Sequence, residues 1–424
     1  MKNIIALLEK EPQLSGYKIN LCKKESFELF YVKGTLETAR CTDTCDRQVT
    51  VYVDHDGCKG DAQFFVYPST TPAQLEEKLH TAVQNALLIR NAPYELPAGE
   101  TGEYDLHSNF EEQPMPALAQ RIADAVFSAN ALEGGSLNSV EVFVNHYTET
   151  VVNSRGLHKV QHRYDAMVEA IPTFNGDRES VELYEQYNSS ALDLEALTAE
   201  ISGKMQEVKA RYEAVKPDFP MDCRVVLNKL ELHDLFWAIA NDLNYATVYS
   251  HAGLLHKGDL LQKQPGGDAI TIRMQGAAEG NINSACFDGD GMALGQITLV
   301  EEGKAVNYYG SNRFGQYLGE EPTGNLGCLC VAPGTVAEDG LSGEPYLEII
   351  SMSGLQVDFF NDYLGGEIRL AYYHDGSSLR PVTGISVSGK LQDVLNTLRL
   401  SEKTAIHDGY MGPAKAVLSG MKIF

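Results

Sequence analysis

The chain has 424 residues, 43% of them apolar, which is enough for two domains or one large one around a sizeable core. Its 34 basic residues stand against 58 acidic ones, so the formal charge is −24, and that field repels a nucleic-acid backbone unless a local basic patch overrides it. None does: Lys23-Lys24 and the run from 204 to 211 are short, broken by acids and free of interleaved aromatics, so direct nucleic-acid binding is not expected and a peptide or protein partner fits better.

The first ten residues carry too short an apolar run for a signal segment, and no apolar stretch reaches membrane-spanning length. A cytoplasmic protein without a membrane partner is expected. Eight cysteines (Cys22, Cys41, Cys45, Cys58, Cys223, Cys286, Cys328 and Cys330) are scattered rather than framed, which reads as free thiols packed like small hydrophobes. Cys41-x-x-x-Cys45 and Cys328-x-Cys330 lack the second pair that a zinc ribbon needs.

From 17 to 67 short β-prone runs (19–22, 27–32, 49–53 and 62–67) alternate with turn signals, Asp56-Gly57 the tightest of them, and predict an antiparallel meander. Thr71-Pro72-Ala73-Gln74 predicts a helix start, with Thr as cap and Gln three residues on, running to about residue 90. The Pro- and Gly-rich segment 92–116 reads as a loop or crossover. A helix follows with Leu118, Ile122, Val126 and Phe127 on one face. Residues 140–152 and 158–171 read as a hairpin about the turn Asn153-Ser154-Arg155-Gly156. An amphipathic helix spans 191–212 and stops at Lys216-Pro217.

The domain junction is placed there, giving an N-terminal domain over 1–216 with an antiparallel sheet and helices, and a C-terminal, β-rich domain over 217–424. In the second, a helix over 230–243 precedes a Gly-rich, strand-rich region that reads as a twisted sheet or partly closed barrel and ends in a helix over 391–400. The fold class is α+β.

Chemistry concentrates on the 230–243 helix. His233-Asp234-Leu235-Phe236-Trp237-Ala238 has the outline of a zinc-peptidase helix with one imidazole and an acid kept and the second imidazole replaced by a methyl. His251 and His256 restore two imidazoles five apart, but five residues turn a regular helix about 140° past a full turn, and Ala252 stands where a general base belongs. His158 and His162, four apart on a strand, are about 13 Å from one another and do not share an ion. Asp288-Gly289-Asp290-Gly291 lacks the ligands of a calcium loop at its fifth and sixth positions and reads as a β-turn.

Four segments in order resemble the TldD/PmbA family, whose members are also labelled modulators of DNA gyrase: Asn153-Ser154-Arg155-Gly156; Phe287-Asp288-Gly289-Asp290-Gly291; Tyr317-Leu318 through Pro322-Thr323-Gly324-Asn325; and the run from Pro381-Val382-Thr383-Gly384 to Lys390-Leu391. One class of that family carries His-Glu-x-x-x-His and a distal Cys as zinc ligands, and the other lacks them. With His-Asp-x-x-x-Ala here, and no Cys in the tail Ile406-His407-Asp408-Gly409-Tyr410, the resemblance is to the PmbA-like (TldE-like) class. Where the family has a Thr-Gly-Asp-Phe-Ser-like stretch, this chain has Leu364-Gly365-Gly366-Glu367-Ile368-Arg369.

The resemblance implies a subunit without catalytic zinc or other cofactor, a vestigial site at His233, Asp234 and Ala238, and a loop at Thr323, Gly324 and Asn325 that meets substrate or partner. It implies a dimer with a zinc-bearing TldD-like homologue or with itself, acting on peptides or unfolded protein. Two alternatives stay open. One is an active metallopeptidase with unorthodox ligands, such as His233 with His251 or His256 and Asp234 or Asp242; the other is an interaction protein modulating a gyrase or toxin system.

Overall fold

The computed structural model describes residues 1–337 and 344–424. Its first half is built on one sheet whose order is β3-β2-β1-β5-β6-β4, with β7 and β8 also paired to β6. The strands are β1 (Gly16–Val32), β2 (Thr35–His55), β3 (Cys58–Val66), β4 (Thr101–Asp105), β5 (Gly135–Asn153), β6 (His158–Phe174), β7 (Val181–Glu182) and β8 (Glu185–Ser189). The meander and the hairpin of the sequence reading are both present, and Asp56 (φ 48°) and Gly57 (φ 74°) form the left-handed pair of a type I′ turn.

Strand lengths differ from the reading. β1 runs unbroken through Lys23-Lys24-Glu25, and β2 extends over residues 35–48, which are polar and mostly exposed. Charge on these strands marks a solvent-facing sheet surface, not a turn. The 92–116 segment is also less bare than expected: β4 lies in it and joins the sheet parallel to β6.

One face of the sheet is apolar and carries the helices α1 (Lys2–Leu8), α2 (Pro72–Ala86), α3 (Met115–Ser128) and α4 (Leu194–Glu213). Val49, Val51 and Val53 meet Leu79 and Val83 of α2, while Val140, Val142 and Val144 meet Leu118 and Ile122 of α3. The other face stays polar: Ser26, Glu28, Asn145, Glu149, Gln161 and Arg163 alternate with the core residues along the same strands. α2 starts as its sequence predicts, with Thr71 Oγ1 accepting the Gln74 N–H and the Gln74 side chain accepting the Thr71 N–H. Thr71→Ala removes the first of these bonds and is expected to cost about 1 kcal/mol, seen as a lower urea midpoint at unchanged slope.

The second half forms two sheets, not one. The first has six strands in the order Lys304–Ala305, Gln296–Glu301, Ile272–Gln275, Cys328–Val331, Tyr410–Pro413 and Thr404–His407. The second, of nine strands, includes Arg224–Asn228, Tyr346–Met352, Tyr363–His374 and Ile385–Gly389. Helix α5 (Lys229–Asp242) lies between them and touches strands of both. Leu232, Leu235, Phe236 and Ile239 are fully buried in the shared core with Ile272, Leu329, Leu347 and Leu364. The last helix is one turn shorter than predicted, Leu391–Thr397, because Arg399 and Leu400 pair with Val417 and Ala416 instead.

Candidate functional site

Asn228 starts α5, its Oδ1 accepting the Leu230 N–H at 3.0 Å. The four buried apolar residues fix the helix's rotation, so the next positions round, His233, Asp234 and Trp237, come out at its surface. The His233 ring stacks on Trp237 at 6.0 Å and meets Tyr410 edge-on at 6.4 Å. Its third ring neighbour is His407, edge-on at 6.1 Å, from the end of the hairpin strand Thr404–His407. Asp234 is exposed, with Oδ1 3.4 Å from His233 Nδ1.

His407 is the residue that the sequence reading passed over. Asp408 (φ 48°) and Gly409 close the hairpin, and the turn carries the His407 ring against α5. Burial holds its imidazole below the ordinary range, with the Lys229 and His233 charges adding to the effect and Asp408 and Glu200 opposing it. The neutral ring is therefore favoured. Around it, Lys229 Nζ is held by both oxygens of Glu200 at 2.8 and 2.7 Å, and Asn188 Nδ2 donates to Asp408 Oδ1 at 2.9 Å.

This donor set does not fit a catalytic zinc. Three protein ligands are the norm for such an ion, and two imidazoles meet here. Ala238 brings a methyl, and since α5 is regular over 229–242, position 238 lies about 140° round the helix from 233. Among the described residues no group of three His, Cys, Asp or Glu side chains is placed to hold a metal ion. The pair of imidazoles with half-exposed Trp237 forms a shelf suited to hydrogen bonds and stacking.

His251 and His256 are elsewhere. His251 follows the short helix Tyr245–Tyr249 in the left-handed region (φ 54°), and His256 Nδ1 lies 2.9 Å from the Leu254 carbonyl in an exposed loop. Asp242 is committed to structure, its Oδ2 accepting the N–H groups of Leu254 and Leu255 at 2.9 and 2.6 Å.

Thr323, Gly324 and Asn325 form a tight turn fastened to the Phe287–Gly291 motif. Thr323 Oγ1 accepts the Gly310 N–H, Gly324 takes φ 75°, and the Asn325 N–H donates to Asp288 Oδ2 at 2.9 Å. Asp288, 8% exposed, also accepts the N–H groups of Asp290 and Met292 on Oδ1. The motif joins the two halves of the molecule. Gln161 Oε1 accepts the Cys286 N–H, Asn20 Nδ2 donates to the Gly289 carbonyl, and Phe287 packs with Val151 and Leu157. Asn153 orders the other side of that junction, accepting from Arg155 and Leu157 and donating to the Pro97 carbonyl.

Beside this junction lies a cleft of about 610 Å³ between the polar face of the first sheet and residues 282–289 and 325–327, with Asn325 in its wall. Gly409 reaches its far side, where a Cβ would lie 2.2 Å from Asn283 Nδ2 and 3.1 Å from the Gly327 carbonyl, so a larger residue would displace the Asn283 side chain. The His407 hairpin thus backs onto the wall of the cleft.

Residues 220–424 match the family model described as the PmbA/TldA metallopeptidase C-terminal domain. That C-terminal stretch of the chain belongs to the PmbA/TldA family. Its whole length is similar in fold to TldE from Thermococcus kodakarensis, at 15% identity and a TM-score of 0.81, covering 100% of this chain and 99% of that one. It is also similar to a proposed modulator of a DNA gyrase from Thermotoga maritima (16% identity, TM-score 0.76, 100% and 99% covered) and to another from Bacteroides thetaiotaomicron (14%, 0.78, 100% and 97%). No curated protein matches the sequence. In this chain the motifs at 153–156 and 287–291 fasten the two halves together. Among the described residues no helix is long and apolar enough to cross a membrane.

Proposed function

We propose that this chain is the TldE-like, non-catalytic member of a two-component zinc metallopeptidase system, working in the cytoplasm with a zinc-bearing TldD-like homologue on peptides or unfolded proteins. The observation that carries this reading is the donor set at His233: one imidazole on α5, one facing it from His407, and a methyl at Ala238. A chain so equipped contributes walls and binding surface, and the hydrolytic ion belongs to the partner.

The approach of His407 to His233 favours one second reading, an enzyme with unorthodox ligands, and metal content separates the two. Atomic absorption on untagged protein dialysed against zinc without chelator is expected to give far less than one zinc per chain. Peptide hydrolysis is expected only after the zinc-bearing homologue is added. Near-stoichiometric zinc that is lost in both His233→Ala and His407→Ala would overturn the proposal.

A further inference from the structure

One edge of the first sheet is left open. β3 ends the strand order, paired to β2 on one side and, on the other, bridged to a single residue: the Lys59 N–H donates to the Asn91 carbonyl at 3.0 Å and the Asn91 N–H to the Lys59 carbonyl at 3.3 Å. That bridge sets the parity of the strand. Alternate residues of an antiparallel ladder turn both backbone groups to the same side, so Asp61, Gln63 and Phe65 also face outward. The segment that supplies Asn91 continues as Ala92-Pro93 and leaves the edge. Among the described residues no strand bonds to the outer groups of Gln63 and Phe65.

Folded proteins blunt such edges with proline, charge or a covering loop. Here the uncovered end carries two aromatics instead, Phe65 and Tyr67, stacked at 6.3 Å and 43% and 49% exposed. Phe65 is also a wall of the 610 Å³ cleft, which lies on the same face of the sheet. The charged lining of that cleft is Asp46, Glu149, Asp288 and Arg163, an excess of negative charge. Glu149 is held by Arg163 and Gln161, and Asp288 by backbone N–H groups. Asp46 is exposed, and its carboxylate makes no ion pair or hydrogen bond among the described residues.

We propose that the outer edge of β3 at Gln63 and Phe65 binds an extended peptide as an added antiparallel strand, with a basic side chain of that peptide entering the cleft toward Asp46. The added strand extends the pairing that Asn91 begins, and its side chains alternate, so every second one points to the cleft face. The chain's net charge of −24 draws a cationic segment to the edge. The class of ligand rests on the peptide-handling reading above, but binding here requires neither metal nor hydrolysis.

The test is fluorescence anisotropy of the full chain, in chelator, with three labelled ten-residue peptides: alternating Lys-Val, alternating Glu-Val, and Lys-Val with every second backbone nitrogen methylated. The Lys-Val peptide is expected to bind, and each of the other two to bind at least about tenfold more weakly. Gln63→Pro deletes an outward N–H while sparing the backbone bonds to β2, losing only the exposed Gln48 Nε2 to Gln63 Oε1 bond on that side, and Asp46→Lys reverses the free charge. Each is expected to weaken Lys-Val binding at least about tenfold. Should Gln63→Pro unfold the chain, the methylated peptide probes the same bonds on the unaltered protein. Equal affinity for all three peptides, or no binding of Lys-Val at millimolar concentration, would overturn the proposal. Because chelator is present, neither result bears on the zinc and hydrolysis measurements, which test the parent reading on their own.

Discussion

Replacing Asp288 by alanine is expected to destabilise the chain by about 3 kcal/mol, because it orphans three N–H groups at once, those of half-buried Asp290 and Met292 and of exposed Asn325. Burial raises the Asp288 carboxyl above the ordinary range even though these donors pull it down, so the site already bears a desolvation cost that the three bonds offset. Asp288→Asn separates the two oxygens. An amide can keep its carbonyl toward Asp290 and Met292, but its NH₂ then faces the Asn325 N–H, donor against donor. Amide hydrogen exchange is the measurement. Asp288→Asn should speed exchange at Asn325 and leave Asp290 and Met292 protected, while Asp288→Ala should speed all three. Unchanged exchange at Asn325 in both variants would show that this carboxylate does not hold the 323–325 turn.

That turn shows which features could be read from the sequence. Caps and tight turns follow local rules: Thr71 with Gln74, Asp56-Gly57, the Asn153 turn and the Asp288 turn are each complete within a few residues, and each is where the spacing puts it. The extent of α5, read as 230–243 and found as Lys229–Asp242, was legible for the same reason. What the sequence could not convey was pairing across distance. Cys330 of one strand lies beside Met411, parallel and far along the chain, and nothing local announces it. His407 was hidden in the same way. Asp408-Gly409 signals a hairpin, yet only the packing of that hairpin on α5 brings the ring to 6.1 Å from His233. The polar halves of β1 and β2 were missed because there neither face of the strand is packed under an apolar layer, which removes the apolar alternation on which a strand assignment depends.

Glu231→Gln is expected to stabilise the protein near pH 8 by about 2 kcal/mol and to have almost no effect near pH 4. Glu231 sits in the first turn of α5, 4% exposed, with Oε2 lacking a hydrogen-bond partner among the described residues. A helix N-terminus favours a carboxylate, but burial outweighs it and pushes the carboxyl up to about 7, with Asp234 adding to the rise. The Lys204 cation gives little relief, because it is held by Glu207 at 2.8 Å and Glu185 at 3.1 Å. With the folded value above the unfolded one, the folded chain holds a proton that the unfolded chain has released. The group's contribution is therefore fully favourable below about 4.5 and is lost as pH rises toward 7, at a cost of about 3 kcal/mol from a shift of that size. Glutamine keeps the shape and abolishes the titration, and its extra buried N–H takes back part of the gain. Urea unfolding of both proteins at pH 4, 6 and 8 reads the difference directly. A stabilisation that grows over this range places a neutral carboxylic acid two residues from His233 in the folded protein at mildly acid pH; one that is flat with pH, or a loss at pH 8, would mean that Glu231 is already paired and charged.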